Sequence, residues 1–152
     1  GEWITYEAEW GETNDIWVMR SDGSDARQVT NDTHYDRYPG WSPDGEWLIY
    51  DSERDGNRDL YLVPVEGGTP RRVTMDGALD RHADWFPEAN LLAFHSSRSG
   101  NFDIWLVEIP DPGKAMAARD TETGAATGEL LLPLVLGATA VAVALFLRRR
   151  SP

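Results

Sequence analysis

Three stretches of the chain repeat at a spacing of 44 residues, and this periodicity limits the fold more than any other feature. Asp15, Asp59 and Asp103 follow one another at that interval, as do Trp41 and Trp85. Without gaps, GEWITYEAE (1–9) aligns with GEWLIYDSE (45–53) and with ANLLAFHSS (89–97). NDIWVMRSDG (14–23), RDLYLVPVEG (58–67) and FDIWLVEIPD (102–111) keep the same register, and ARQVT (26–30) aligns with PRRVT (70–74). Aromatic, acidic and Val-Thr positions recurring together describe one supersecondary unit used three times.

Each unit reads as short strands. Residues 46–50 and 59–63 are rich in Trp, Ile, Tyr, Leu and Val, and the polar loop DSERDGN separates them. A third strand is expected near 71–74, ending in Thr74, and a fourth around Tyr38 to Trp41, leading into WSPDG. Four strands within 44 residues leave no room for crossover helices, so the sheets are antiparallel. In WSPDG, Pro43 sets the φ of a first central turn position, and Gly45 accepts the left-handed geometry that reverses the chain. Ser42 and Asp44 bond to local backbone. The third copy reads WFPEAN (85–90), with Ala89 in place of Gly45. Its turn is expected to shift, with Asn90 taking the left-handed conformation.

On these residues, YPGWSPDGEWLIYDSERDGNRDLYLVPVEGGTPRRVT (38–74) resembles the WD40-like beta-propeller repeat (PD40 type) of the TolB family, also found in propellers of prolyl-oligopeptidase relatives. By position the resemblance places the turn at Trp41 to Gly45, an inner strand pair at Trp47–Tyr50 and Asp59–Val63, and the strand-end threonine at Thr74. The third copy matches at Trp85, Pro87, Leu91–Phe94 and Asp103–Val107. The first matches at Gly1–Tyr6, Asp15–Met19, Val29 and Thr30. The implied fold class is all-β. It is a partial propeller of about two and a half four-stranded antiparallel blades over residues 1–109, plus one C-terminal transmembrane helix. Blade one lacks its inner strand, and blade three has no RRVT equivalent. The chain is therefore expected to be the C-terminal part of a larger ring, its last blade completed by an upstream strand.

The remainder differs in character. Residues 1–109 hold 22 acidic and nine basic residues, a net of −13, and all seven Trp. Residues 110–129, PDPGKAMAARDTETGAATGE, read as a flexible linker. Residues 130–147, LLLPLVLGATAVAVALFL, carry no charge and precede Arg148, Arg149 and Arg150. As a helix they reach roughly 27 Å, enough for a bilayer core, and Pro133 falls in the first turn. Residues 130–150 are thus expected to form a transmembrane helix with a cytoplasmic Arg-rich end, leaving the propeller outside.

No catalytic, cofactor-binding or metal-binding residue is expected. His34, His82 and His95 lack a metal-ligand spacing, and His82 and His95 stand at the repeat positions of Tyr38 and Asp51. Asp51, Glu53 and Asp55 before Gly56 resemble the start of a calcium loop, but the twelfth position is Leu62 rather than Glu. No G-x-S-x-G elbow occurs, and SRSG (97–100) has the wrong spacing. The chain has no cysteine, which removes thiol chemistry and disulfides. The acid excess and the blade-like spacing of the Trp residues argue against nucleic acid. The expected function is a membrane-anchored extracytoplasmic propeller that binds or scaffolds a protein at the cell envelope, with lipid contact through 130–147. The alternatives are an accessory propeller of a serine peptidase whose catalytic part lies outside this chain, and a cell-surface structural component.

Overall fold

The computed structural model describes residues 1–109 and 130–134. Its eleven strands form three antiparallel sheets. The first holds β1 (Trp3–Trp10), β2 (Thr13–Arg20) and β3 (Arg27–Gln28), in that order. The second runs β4 (Asp36–Trp41), β5 (Trp47–Ser52), β6 (Asp59–Pro64), β7 (Arg71–Arg72). The third runs β8 (Asp80–Trp85), β9 (Leu91–Ser96), β10 (Asp103–Glu108), β11 (Leu130–Leu134). Each sheet is one repeat copy, and none closes on itself, so the fold is an all-β partial propeller. The first blade has no inner strand, as the copy alignment implies.

The blades stack through alternation along the middle sheet. On β5 and β6, Trp47, Ile49, Leu60 and Leu62 pack against Ala83, Trp85, Leu92, Phe94, Val107 and Ile109 of the third blade. The intervening Leu48, Tyr50, Tyr61 and Val63 pack against Ile16, Val18 and Val29 of the first. Both faces of the middle sheet are therefore apolar, and β5 and β6 read as nearly continuous hydrophobic runs. Gly40 lets the second and third blades approach. A Cβ there would meet Ile49 Cγ2 at 3.3 Å and the Ala83 carbonyl oxygen at 3.5 Å.

The WSPDG turn forms as the residue types require. Gly45 N–H donates to the Ser42 carbonyl (2.9 Å), with Pro43 and Asp44 central and Gly45 at φ +74°. Ser42 Oγ accepts from Trp47 N–H (2.9 Å), and Asp44 Oδ1 accepts from Glu46 N–H (3.0 Å).

Two expectations are corrected. Asn90 does not adopt a positive φ; among the described residues only Asp25, Tyr38 and His82 do so without being glycine. The third-copy turn instead closes by Ala89 N–H donating to the Phe86 carbonyl at a longer 3.3 Å. The strand expected near 71–74 is regular only over Arg71–Arg72, after which Val73 N–H still donates to the Leu60 carbonyl (2.7 Å). The Thr74 hydroxyl then accepts from Leu60 N–H (3.1 Å), so a side chain completes the pairing at the strand end. At the outer position of the third blade lies a segment of the chain itself. β11 lies antiparallel to β10, covering an edge whose backbone groups would otherwise be unpaired. Pro133 is tolerated there because β11 is the outermost strand.

Leu130–Leu134 are thus a strand where the expected transmembrane helix begins. Residues 135–147, Arg148–Arg150 and the expected linker 110–129 lie outside the described residues. Among the described residues no helix is long and apolar enough to cross a membrane.

Candidate functional site

The hairpin loops 53–58 and 97–102 and the connections 29–35 and 73–79 lie at one end of the blades, opposite the WSPDG turn. This loop end is bonded both between blades and within them. Asn57 Nδ2 donates to the Ala78 carbonyl (2.5 Å), and Leu79 N–H donates to Ser97 Oγ (2.9 Å). It also exposes large apolar side chains, namely Tyr35, Tyr38, Met75, Leu79 and Phe102.

Beneath the loops, a repeated ion-pair clamp holds each inner strand. Arg54 Nη2 donates to Asp32 Oδ2 (2.7 Å), and lies 3.3 Å from Asp36 Oδ2. Forty-four residues on, Arg98 Nη2 lies 2.8 Å from Asp76 Oδ2 and donates to Asp80 Oδ2 (2.9 Å), while Arg98 Nε donates to Ser96 Oγ (2.7 Å). The Asp36 and Asp80 side chains are fully buried, and burial pushes both carboxyls above the usual range against the pull of their arginines. A second clamp sits further along the blade. Thr30 and Thr74 accept from Ile16 and Leu60 N–H (2.9 and 3.1 Å) and donate to Asp15 and Asp59 (3.4 and 3.3 Å). These groups are structural: their hydrogen bonds are directed inward and tie strands together. In the third blade Asp103 is exposed instead and accepts from Ser99 Oγ (2.5 Å).

The inner strands break their pairing near the loop end. The β4–β5 register shifts between Arg37 and Gly40, and the β8–β9 register shifts between Arg81 and Asp84. Tyr38 (φ +54°) and His82 (φ +52°) occupy these bulges in the left-handed region, at equivalent repeat positions. For residues with bulky side chains such geometry is disfavoured, and bulges of this kind re-aim side chains near functional sites. The N–H groups freed by the bulges are satisfied by the preceding blade. Tyr38 N–H donates to Glu7 Oε2 (3.0 Å), and His82 N–H donates to Asp51 Oδ1 (3.4 Å). The position equivalent to Glu7 and Asp51 in the third blade is His95.

Exposed rings follow from this geometry. Tyr38 and His82 meet edge to face with centroids 4.1 Å apart, and His82 meets His95 at 5.4 Å. The two histidines that look scattered in sequence are therefore neighbours, because Arg81 pairs with His95 across β8 and β9. His34 is separate, with its Nδ1 3.0 Å from Asp32 Oδ1. Partial burial, followed by repulsion from His95, Arg81 and Arg58, lowers the His82 pKa and favours its neutral form. Asp51 is pushed up to about 7 by burial, against the opposing pull of the His82 N–H and of Arg58. Its Oδ2 lies 3.5 Å from Arg58 Nε without a hydrogen bond.

The three carboxylates resembling a calcium loop do not converge. Asp51 faces His82 N–H, Glu53 pairs with Arg58, and Asp55 accepts from Tyr61 Oη (2.6 Å). Among the described residues no group of three His, Cys, Asp or Glu side chains is arranged to hold a metal ion. Sequence reasoning missed the Arg54 and Arg98 clamps and the bulge arginines Arg37 and Arg81. Each pair is spaced at the repeat period, a signal present in the alignment.

Residues 10–127 match the family described as the tricorn protease N-terminal beta propeller domain. No curated protein matches the chain. Among solved structures, a putative TolB from Agrobacterium tumefaciens superposes with a TM-score of 0.66 at 23% identity, over 72% of this chain and 42% of that one. TolB from Acinetobacter baumannii gives 0.62 at 22% identity, over 90% and 31%. The tricorn protease gives 0.52 at 18% identity, over 73% and 10%. The chain thus spans less than half the length of each of these proteins, and at such identities the likeness is one of fold.

Proposed function

Because the chain belongs to the tricorn protease N-terminal beta propeller domain family, we propose that it acts as a non-catalytic propeller module that binds a protein partner through its loop end. One observation carries the reading: the paired bulges that hold Tyr38 and His82 in a disfavoured backbone conformation on an exposed surface. Neither side chain contributes to the interblade cores; the two rings instead meet each other and His95 at the surface. Tyr35, Met75, Leu79 and Phe102 extend the same surface with apolar area of the kind that interfaces use.

The partner is placed at the cell envelope. In this proposal residues 130–147 cross the bilayer, Arg148–Arg150 remain cytoplasmic, and the blades face outside. A bilayer span needs about 20 apolar residues, so Leu130–Leu134 must leave β10 to join it. Strand β11 and the membrane helix are therefore alternative placements of the same five residues.

A photo-crosslinking residue at position 38 tests the binding face, with position 86 as control. Phe86 is exposed at the opposite end of the blades. The proposal expects a discrete protein adduct from position 38 in intact cells and none from position 86. Adducts only from position 86, or none at all, would refute it. The family description names a protease, which favours a second reading as a peptidase accessory domain. Under that reading the purified full-length protein hydrolyses a fluorogenic peptide mixture, and loop-end substitutions alter which peptides are cut.

A further inference from the structure

Nine arginines supply every basic side chain of residues 1–109, against 22 carboxylates. Arg20, Arg27, Arg54, Arg58, Arg72 and Arg98 each pair with at least one carboxylate. Arg37 and Arg81 pair with none among the described residues, and they are repeat equivalents on adjacent inner strands. In so acidic a domain two unpaired guanidiniums at matching positions need an explanation.

Both are held by aromatic faces rather than by charge. The Arg37 guanidinium carbon lies 4.9 Å from the Tyr35 ring centre, and that of Arg81 lies 4.1 Å from the Phe102 ring centre. Stacking uses the flat face of the guanidinium and leaves its in-plane N–H donors free. In each residue Nε is shielded from solvent and has no hydrogen-bond partner. Each arginine directly precedes a bulge residue, so Arg81 sits beside His82, with His95 opposite it across the sheet. Asp51 of the preceding blade accepts from His82 N–H and pairs with Arg58, and it feels the Arg81 charge without an ion pair between them.

We propose that Arg37 and Arg81, with His82 and Tyr38 beside them, form an anion-binding ledge for the carboxylate side chains of an acidic peptide segment. The inference rests on the protein-binding reading and names the chemistry of the partner. A rigid planar fork matches a carboxylate in two parallel hydrogen bonds. A long polyanion such as nucleic acid is disfavoured, because the surrounding net charge of −13 repels it, whereas a few carboxylates are screened at physiological salt.

The test titrates the full 152-residue chain, in a zwitterionic detergent, with N-acetylated, C-amidated tetraglutamate. Arginine Nε–Hε signals are followed by NMR and affinity by calorimetry. The proposal expects the Arg37 and Arg81 signals to shift saturably and tetraglutamine to leave them unmoved. Arg81→Gln should weaken binding about tenfold, while Arg20→Gln changes it less than about twofold. Unmoved wild-type signals, equal affinity in Arg81→Gln, or equal binding of tetraglutamine would overturn the assignment. So would inorganic phosphate that binds the same signals more tightly than the peptide. Should Arg81→Gln fail to fold, the wild-type titration decides alone. A blank titration beside a specific adduct at position 38 would remove the carboxylate assignment and leave the protein-binding reading intact.

Discussion

Replacing Asp51 with asparagine should flatten the pH dependence of stability. The carboxyl is buried at the joint between the second and third blades and titrates near 7 in the folded protein, against about 3.9 in an unfolded chain. Between these values the folded state holds a proton that the unfolded state has released. Stability therefore falls as pH rises through this window, and the loss is complete above 7. Each pH unit in which the two states differ by one proton is worth about 1.36 kcal/mol. From pH 5 to pH 8 the difference persists for roughly two units, so Asp51 costs about 2–3 kcal/mol over that interval. Asparagine has no proton to release and still offers a carbonyl oxygen to the His82 N–H. Arg58 keeps Glu53 as its partner. Urea unfolding followed by Trp fluorescence at pH 5 and pH 8, for both proteins, measures the effect. Relative to wild type, Asp51→Asn should gain about 2–3 kcal/mol between the two conditions. Identical pH dependence in the two proteins would show that the blade joint does not hold Asp51 as described.

Two further perturbations test the local architecture. Gly45→Val should destabilise the second blade by about 1–3 kcal/mol through backbone strain at φ +74°. A Cβ there meets nothing within 4 Å, so steric contact adds nothing, and unchanged thermal unfolding would refute the turn geometry. Thr74→Val keeps the shape but leaves the Leu60 N–H and Asp59 without the hydroxyl between them. It should cost about 1–3 kcal/mol in denaturant titrations.

The strands were legible because the repeat aligns them and because β-branched and aromatic residues cluster in them; 46–50 and 59–63 correspond to β5 and β6. The WSPDG turn was legible because Pro and Gly announce their backbone geometry. The bulges were not, since positive φ is uncommon at Tyr and only somewhat more frequent at His, too weak a signal to mark Tyr38 and His82. The approach of His82 to His95 depends on strand register combined with the bulge, which no spacing rule encodes. The Arg54 and Arg98 clamps stood in the repeat alignment, but equal spacing does not reveal which carboxylate a long side chain reaches. The segment 130–134 shows a different limit: an apolar run fits a sheet edge as well as a bilayer.

Some arginines hold the fold and others face a partner, and a parallel Arg→Gln series measures that separation directly. Arg98→Gln should lower stability by about 3 kcal/mol, because it strands the buried Asp80 carboxylate. Arg81→Gln should leave stability within about 0.5 kcal/mol of wild type, yet sharply reduce the crosslinked adduct at position 38. If Arg81→Gln instead destabilises the protein as much as Arg98→Gln, or if adduct yield simply follows stability across the series, the loop end is structural and the binding reading fails.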